Sequence, residues 1–288
     1  MKTPITIITG YLGSGKTSLI RHILDNADRR FVIVMNEFGE LAIDSKIIKG
    51  KNIDMVELSG GCVCCSVSGE FMQAIDEIIA NVKPEHIIVE TTGVVDPEAL
   101  IYDVLENMPK LKLDSVVCVV DSHAIANYGI GHTARKQIEM ADIMLVNKVD
   151  LIDKNKLLEI QEELEKINPT AAKIRTIKCR TEPDLLFGMY TEKQVKHEKH
   201  DIEGIDTLIF ITDRETSRES FEKFLQGLKG IIRAKGFVAF DDGSYLFNYV
   251  NGRHDFEKFA ADKTELVFIG ERFDKGRLEK NLESLFSQ

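Results

Sequence analysis

The sequence has no apolar run long enough to cross a bilayer as a helix, which takes about 20 such residues. It also has no dense block of Lys or Arg: 37 basic residues face 47 acidic ones, for a formal net charge of -10. An acidic chain without a basic stripe lacks the electrostatic footprint of a nucleic-acid binder. Neither a nucleic-acid partner nor a membrane partner is expected, although a single bound nucleotide needs only one local pocket. Internal repeats and low-complexity segments are absent too. At the start, one lysine precedes a strand-like apolar run that Gly10 ends too early for a secretory core. We therefore expect a cytoplasmic protein. Thiols stay reduced in that compartment, so the five cysteines are read as thiols or metal ligands before disulfides.

What is present is ample apolar material, 43% of 288 residues, enough for two domains. The first part alternates β-branched runs (5–8, 31–35, 86–90, 115–120, 143–146, 173–177) with helical patterns (16–26, 69–81, 97–108, 154–167). Strands that are apolar throughout and separated by helices predict a parallel sheet covered on both faces. The expected fold class is α/β, a P-loop NTPase with a doubly wound, mostly parallel sheet and ligands at the carboxyl ends of its strands. A polar stretch follows, then a β-α-β-β-β-α order over 208–286 with a hairpin turning at Asp241-Asp242-Gly243-Ser244. That order predicts a second, smaller α+β domain of split βαβ type.

Three motifs sit at predicted strand ends. Gly10-Tyr11-Leu12-Gly13-Ser14-Gly15-Lys16-Thr17 fits G-x-x-x-x-G-K-[ST], with Ser18 continuing into the helix. Glycines such as Gly10, Gly13 and Gly15 let backbone N–H groups close around phosphate oxygens; Lys16 reaches the β- and γ-phosphates, and the Thr17 hydroxyl can ligate Mg²⁺. The helix N-terminus adds a favourable dipole. Asn147-Lys148-Val149-Asp150 follows the strand 143–146. The Asp150 carboxylate can accept from the ring N1–H and the exocyclic amine of guanine, a donor pair that adenine lacks, which predicts GTP over ATP. Glu90-Thr91-Thr92-Gly93 ends the strand 86–90. There Glu90 would hold Mg²⁺ through a water, and the Gly93 N–H would sense the γ-phosphate. Most GTPases carry Asp at the Glu90 position.

Gly60-Gly61-Cys62-Val63-Cys64-Cys65 places three cysteines within four residues. Cys62, Cys64 and Cys65 form a soft-donor set suited to Zn²⁺ or another thiophilic ion. Buried packing is the plainer alternative. Glu37, Glu40 and Asp44 could finish a metal sphere or orient the attacking water, and read equally well as a solvated loop. Cys118 is expected in the core and Cys179 in packing or near the base, while His123 reads as a loop residue beside the site. His197 and His200 belong to the polar stretch.

Together these motifs resemble the CobW-like family of metal-handling GTPases, related to the hydrogenase and urease nickel-insertion GTPases. C-x-C-C after Gly-Gly is the most specific element; the others are shared with GTPases at large. The resemblance implies a P-loop GTPase domain over 1–187, a linker over 188–206 and a CobW-type C-terminal domain over 207–288. It implies a GTP-dependent metallochaperone with GTP/GDP, Mg²⁺ and Zn²⁺ as ligands, metal on Cys62, Cys64 and Cys65, and Lys16, Thr17, Glu90 and Asp44 as catalytic candidates. The implied partner is a client metalloenzyme or its assembly machinery. With no arginine finger or water-orienting glutamine in view, a partner or a homodimer could complete the site. Two departures are the missing histidine-rich stretch and Met35, where some members carry glutamate ahead of Asn36. The rival readings are a switch GTPase with a structural thiolate site and, more distantly, a P-loop kinase.

Overall fold

The computed structural model describes residues 2–26, 31–35, 53–57, 69–94, 96–187, 205–250, 252–258, 261, 263–271 and 273–287. They form two compact units, Met1–Phe187 and Gly188–Gln288. The first holds strands β1 (Thr3–Thr9), β2 (Phe31–Met35), β3 (Ile53–Glu57), β4 (His86–Glu90), β5 (Leu111–Asp121), β6 (Ile143–Asn147) and β7 (Ala172–Thr176). Its helices are α1 (Lys16–Asn26), α2 (Gly69–Asn81), α3 (Glu98–Glu106), α4 (Ser122–Tyr128), α5 (His132–Glu139), α6 (Lys154–Ile167) and α7 (Pro183–Leu186).

All strand pairings in this sheet are parallel, in the order β3-β2-β4-β1-β5-β6-β7. Every residue of β4 and β6 is buried, as a sheet covered on both faces requires. Phe71, Ile75 and Ile78 of α2 and Leu100 and Val104 of α3 pack over Ile5, Ile7, Val32 and Val89 on one face. Further along the same face, Ile125, Ile138, Leu157, Ile160 and Leu164 of α4, α5 and α6 cover Cys118, Val120, Met144 and Val146, in register with Thr9 of β1 through Cys118. Ile8, Ile33, Ile88 and Val117, also buried, point to the opposite face. The helices start where local chemistry allows. Asp153 caps α6 by accepting from the Asn155 and Lys156 N–H groups at 3.0 Å, satisfying donors that the helix cannot. The chain winds to one side of β1 through β2 and β3, and to the other from β5 onward. The order reverses at β1, which puts the ligand-binding crevice at its carboxyl end.

The second unit is antiparallel throughout, in the order β11-β10-β9-β12-β8. Its strands are β8 (Ile205–Thr212), β9 (Ile231–Phe240), β10 (Gly243–Val250), β11 (Arg253–Lys258) and β12 (Thr264–Glu271), with helices α8 (Arg218–Gln226) and α9 (Lys275–Leu285). Because β8 and β9 each pair antiparallel with β12, they run parallel to one another, and β8-α8-β9 is the split βαβ unit that the sequence predicts. Phe221, Phe240, Phe247 and Phe268 fill the core between sheet and helices, with Phe221 and Phe247 edge to face at 5.1 Å and 88°. The structure adds five strands and α-helices to the sequence reading: β3, α4, α5, α7 and β11. It also shifts several bounds, most of all at β5, which runs from Leu111 to Asp121, and at β8, which begins at Ile205.

Candidate nucleotide site

The carboxyl ends of β1, β4, β5, β6 and β7 converge on the loop that opens α1. Gly15 has φ +115°, and a Cβ added there would lie 2.7 Å from Asn147 Nδ2 and 2.8 Å from Cys179 Sγ. Glycine alone lets the loop come this close to its neighbours. Lys16 is buried and donates from Nζ to the Gly10 carbonyl at 3.0 Å, so its ammonium lies along the loop. Ser14 is buried, Thr17 half-buried and Ser18 exposed. The Ser14 N–H donates to the Tyr11 carbonyl at 3.1 Å, which tightens the turn.

Glu90, buried at the end of β4, stands in register with Ile8 of β1. The next residues are tied to the same edge: the Thr91 N–H donates to the Ile8 carbonyl at 2.9 Å, and its hydroxyl to Thr9 Oγ1 at 3.1 Å. Gly93 then lies against the loop so closely that an added Cβ would meet the Leu12 nitrogen at 2.6 Å. The buried Gln137 of α5 donates from Nε2 to the Gly93 carbonyl at 3.3 Å. Ser14 Oγ and Thr92 Oγ1 are buried atoms that hydrogen-bond no other described residue. Two buried hydroxyls call for partners beyond the described residues, and phosphate oxygens and a bound cation would suit them. The residues present fit a nucleotide phosphate and Mg²⁺.

On the base side, Asn147 is 2% exposed and works as a staple. Its Nδ2 donates to the Ser14 carbonyl at 2.8 Å, while Oδ1 accepts from the Cys179 N–H at 2.9 Å and from Thr176 Oγ1 at 3.2 Å. The phosphate loop, β6 and the loop after β7 are thereby one unit. Lys148 adopts a left-handed conformation, φ 64°, and its ammonium pairs with Asp121 Oδ2 at 2.5 Å. Asp121 also caps α4 by accepting from the Ala124 N–H at 2.9 Å. Asp150 lies exposed in a single 3-10 turn, Val149–Leu151, with its carboxylate open to solvent. Lys178 and Cys179 both have positive φ, 54° and 56°, which bends the loop after β7 over Gly15, where Cys179 Sγ donates to the Gly15 carbonyl at 3.3 Å.

Burial pushes the Cys118 thiol up to about 12 against the small opposing pull of Lys16, and burial likewise pushes Cys179 up to about 12. Both stay protonated at neutral pH. Cys118 lies in the core as its mid-strand position predicts, and Cys179 lies beside the phosphate loop. His123 is exposed on α4, its ring 3.4 Å from Asn127 Nδ2. Cys62, Cys64, Cys65, Glu37, Glu40 and Asp44 lie outside the described residues, as do His197 and His200. Among the described residues no group of three or more His, Cys, Asp or Glu is arranged to hold a metal ion. Sequence reasoning missed Gln137 and the Lys148–Asp121 pair. The signal for Gln137 was a polar residue beside Ile138 on the inward face of α5; Asp121 showed only as a strand-end acid.

A glycine-lined phosphate loop, an acidic strand end beside it and an Asn-stapled base loop define a P-loop nucleotide-binding protein. Residues 4–175 match the model of the CobW/HypB/UreG nucleotide-binding domain, and residues 205–286 that of the cobalamin synthesis protein cobW C-terminal domain. The chain belongs to the CobW/HypB/UreG family. It is 30% identical to a protein named zinc chaperone CobW from Pseudomonas aeruginosa, over 98% of this chain and 91% of that one. It is 29% identical to zinc chaperone YjiA of Escherichia coli, over 92% and 93% of the two chains. Among solved structures, Zn(II)-bound YjiA GTPase from E. coli aligns with a TM-score of 0.51 at 21% identity, covering 99% of each chain, a likeness of fold.

Proposed function

We propose that this protein is a GTP-hydrolysing metallochaperone that binds Zn²⁺ or a similar transition metal and hands it to a client metalloprotein according to nucleotide state. The observation that carries the reading is the Asn147 staple, which joins a phosphate loop to a guanine-type loop in one rigid piece. Membership of a family whose relatives bear the name zinc chaperone supports the cargo.

In this reading the backbone of Gly10, Gly13, Ser14 and Gly15 cradles the phosphates with Lys16, and Ser18 extends the cradle. Thr17 and Glu90 would hold Mg²⁺, which when bound offsets charge on the β- and γ-phosphate oxygens. Gly93 senses the γ-phosphate through its N–H. Asp150 accepts from the guanine edge, Lys148 lies along the base, and Asn147 keeps both loops in register. Asp44 orients the attacking water. The cargo ion sits on Cys62, Cys64 and Cys65 with Glu37 and Glu40 close by, and the 36–48 segment and the thiol loop respond together to the γ-phosphate. The GTPase domain spans 1–187, a linker 188–206 and the C-terminal domain 207–288. The partner is a client metalloenzyme or its assembly machinery, a homodimer can complete the site, and the setting is the cytoplasm. No described helix is long and apolar enough to cross a membrane.

Zinc titration of the protein loaded with a non-hydrolysable GTP analogue or with GDP tests the coupling. The expected difference in affinity is about tenfold or more; equal affinities end the proposal. Cys64→Ser should abolish tight zinc binding and leave GTP binding nearly unchanged.

A further inference from the structure

The nucleotide chemistry proposed above assigns no task to Asp121 or Ser122, the last residue of β5 and the first of α4. Both nevertheless grip the base loop from behind. Parallel pairing of β5 with β6 sets Asp121 directly beside Asn147, so the two strand ends release their chains side by side. Ser122, fully buried, donates from Oγ to the Asn147 carbonyl at 2.6 Å. Asp121 divides its carboxylate between two partners. Oδ1 accepts the Ala124 N–H at 2.9 Å and starts α4, while Oδ2 meets the Lys148 ammonium at 2.5 Å. The two side chains are 10% and 31% exposed, so water screens the pair only in part.

A lysine side chain is long and rotamer-rich, and fixing it costs conformational entropy. Lys148 is held at both ends. Its backbone is left-handed, φ 64° and ψ 33°, a conformation that residues with a side chain keep only when neighbours impose it. Its carbonyl accepts the Leu151 N–H at 3.0 Å, and the peptide ahead of it is tied down by Ser122. The ammonium at the far end is tied to Asp121 by a charge-assisted hydrogen bond. Between the two anchors the aliphatic stem is drawn into one course, which gives a flat aromatic ring a preformed surface to lie on.

We propose that Asp121 is a positioning residue for nucleotide binding: by fixing the Lys148 ammonium it holds the lysine stem where the purine face packs. The purine's place on that stem rests on the GTPase reading above, while the Asp121–Lys148 pair does not. The division of labour follows from the chemistry. Asp150 meets the edge of the base, where guanine and hypoxanthine differ. Asp121 acts on the face, which every purine presents alike. Its removal therefore weakens binding without changing the choice of base.

Asp121→Asn keeps an oxygen for the Ala124 N–H, because asparagine caps helices about as well as aspartate, but removes the charge that holds Lys148. Lys148→Met keeps the stem and removes the ammonium. GTP and inosine triphosphate, which lacks the exocyclic amine, are titrated into the unaltered full chain, the two single variants and the double variant. The expected result is a loss of GTP affinity of about tenfold in either single variant. The double variant should lose no more than the singles, and the ratio of GTP to inosine triphosphate affinity should hold within about twofold. Unchanged affinity in Asp121→Asn overturns the proposal and leaves Asp121 a helix cap. Losses that add in the double variant overturn it too, since the residues then act separately. A collapsed ratio does the same, because Asp121 would be acting on the base edge. If Asp121→Asn does not fold, Lys148→Met decides: a tenfold loss with the ratio kept supports the proposal, and unchanged affinity overturns it. Should the unaltered protein bind GTP no better than ATP, the GTPase reading fails instead, and the same variants titrated with ATP still judge the hold on the purine face.

Discussion

In the first unit the strands run parallel, so β1, β4, β5, β6 and β7 all deliver their carboxyl ends to one edge, where each adds a loop. In the second unit neighbours run antiparallel, successive ends alternate between opposite edges, and the β9–β10 connection is spent on a tight Asp241-Asp242 turn. The same hydrogen-bonding physics therefore concentrates polar chemistry in one unit and disperses it in the other. The second unit invests instead in an aromatic core, with Phe221 meeting Phe240, Phe247 and Phe256 at 5.6, 5.1 and 6.0 Å. One region is organised by where its strands stop, the other by what lies on one face.

That contrast can be broken experimentally. Phe221→Ala should cost the second unit about 3–5 kcal/mol, the penalty for truncating a fully buried aromatic, while GTP affinity stays within about twofold. Denaturant melts followed by circular dichroism, alongside nucleotide titration, check both halves, and a large loss of GTP affinity would show the units to be energetically inseparable. Lys16→Ala should reverse the pattern, lowering GTP turnover by about 10²–10³-fold, as loss of one preorganised electrostatic donor does, with the fold intact by circular dichroism. Asp150→Asn should shift preference from GTP toward xanthosine triphosphate by about a hundredfold in relative affinity, because the amide donates where the carboxylate accepts. Its exposure predicts a stability change within about 0.5 kcal/mol, so a large drop in Tm would contradict the placement of that side chain.

The smallest effect concerns pH. Cys118 and Cys179 hold their protons more tightly folded than unfolded, with values of about 12 against an ordinary 9.0. Their contribution is complete below pH 9 and is lost as pH rises toward 12, where unfolding releases protons. Iodoacetamide labelling read by peptide mass spectrometry should leave both unmodified in the native protein at pH 8. Rapid labelling of Cys179 would mean that the loop after β7 opens.

Much of this arrangement was legible because its signals are local. The run from Gly10 to Thr17 carries its own glycine spacing, and β4 and β6 announce themselves through the unbroken apolar runs 87–89 and 143–146. Edge strands gave no such signal. β3 is interrupted by Asp54 and ends on Glu57, and β11 has Phe256 as its sole large apolar residue among Arg253, His254, Asp255, Glu257 and Lys258. An edge strand tolerates charge in its sequence, so these two strands, at the two ends of their sheets, are defined by a neighbour distant in sequence. The short helices α4 and α5 span 7 and 8 residues, too few turns for a clear period. The left-handed Lys178 and Cys179 were invisible because nothing in an ordinary lysine or cysteine announces positive φ; only their fit over Gly15 explains it. Gln137 was hidden for a similar reason, since its partner is a backbone carbonyl 44 positions away.

The doubly anchored amide of Asn147 has a consequence for how such a protein can be retuned. In the proposed reading its bonds to the scaffold make it a brace between the grip on the phosphates and the reading of the base, while the exposed Asp150 is an adjustable dial. Letter preference can then be altered at Asp150 without loosening the phosphate grip. A change at Asn147 disturbs both functions together.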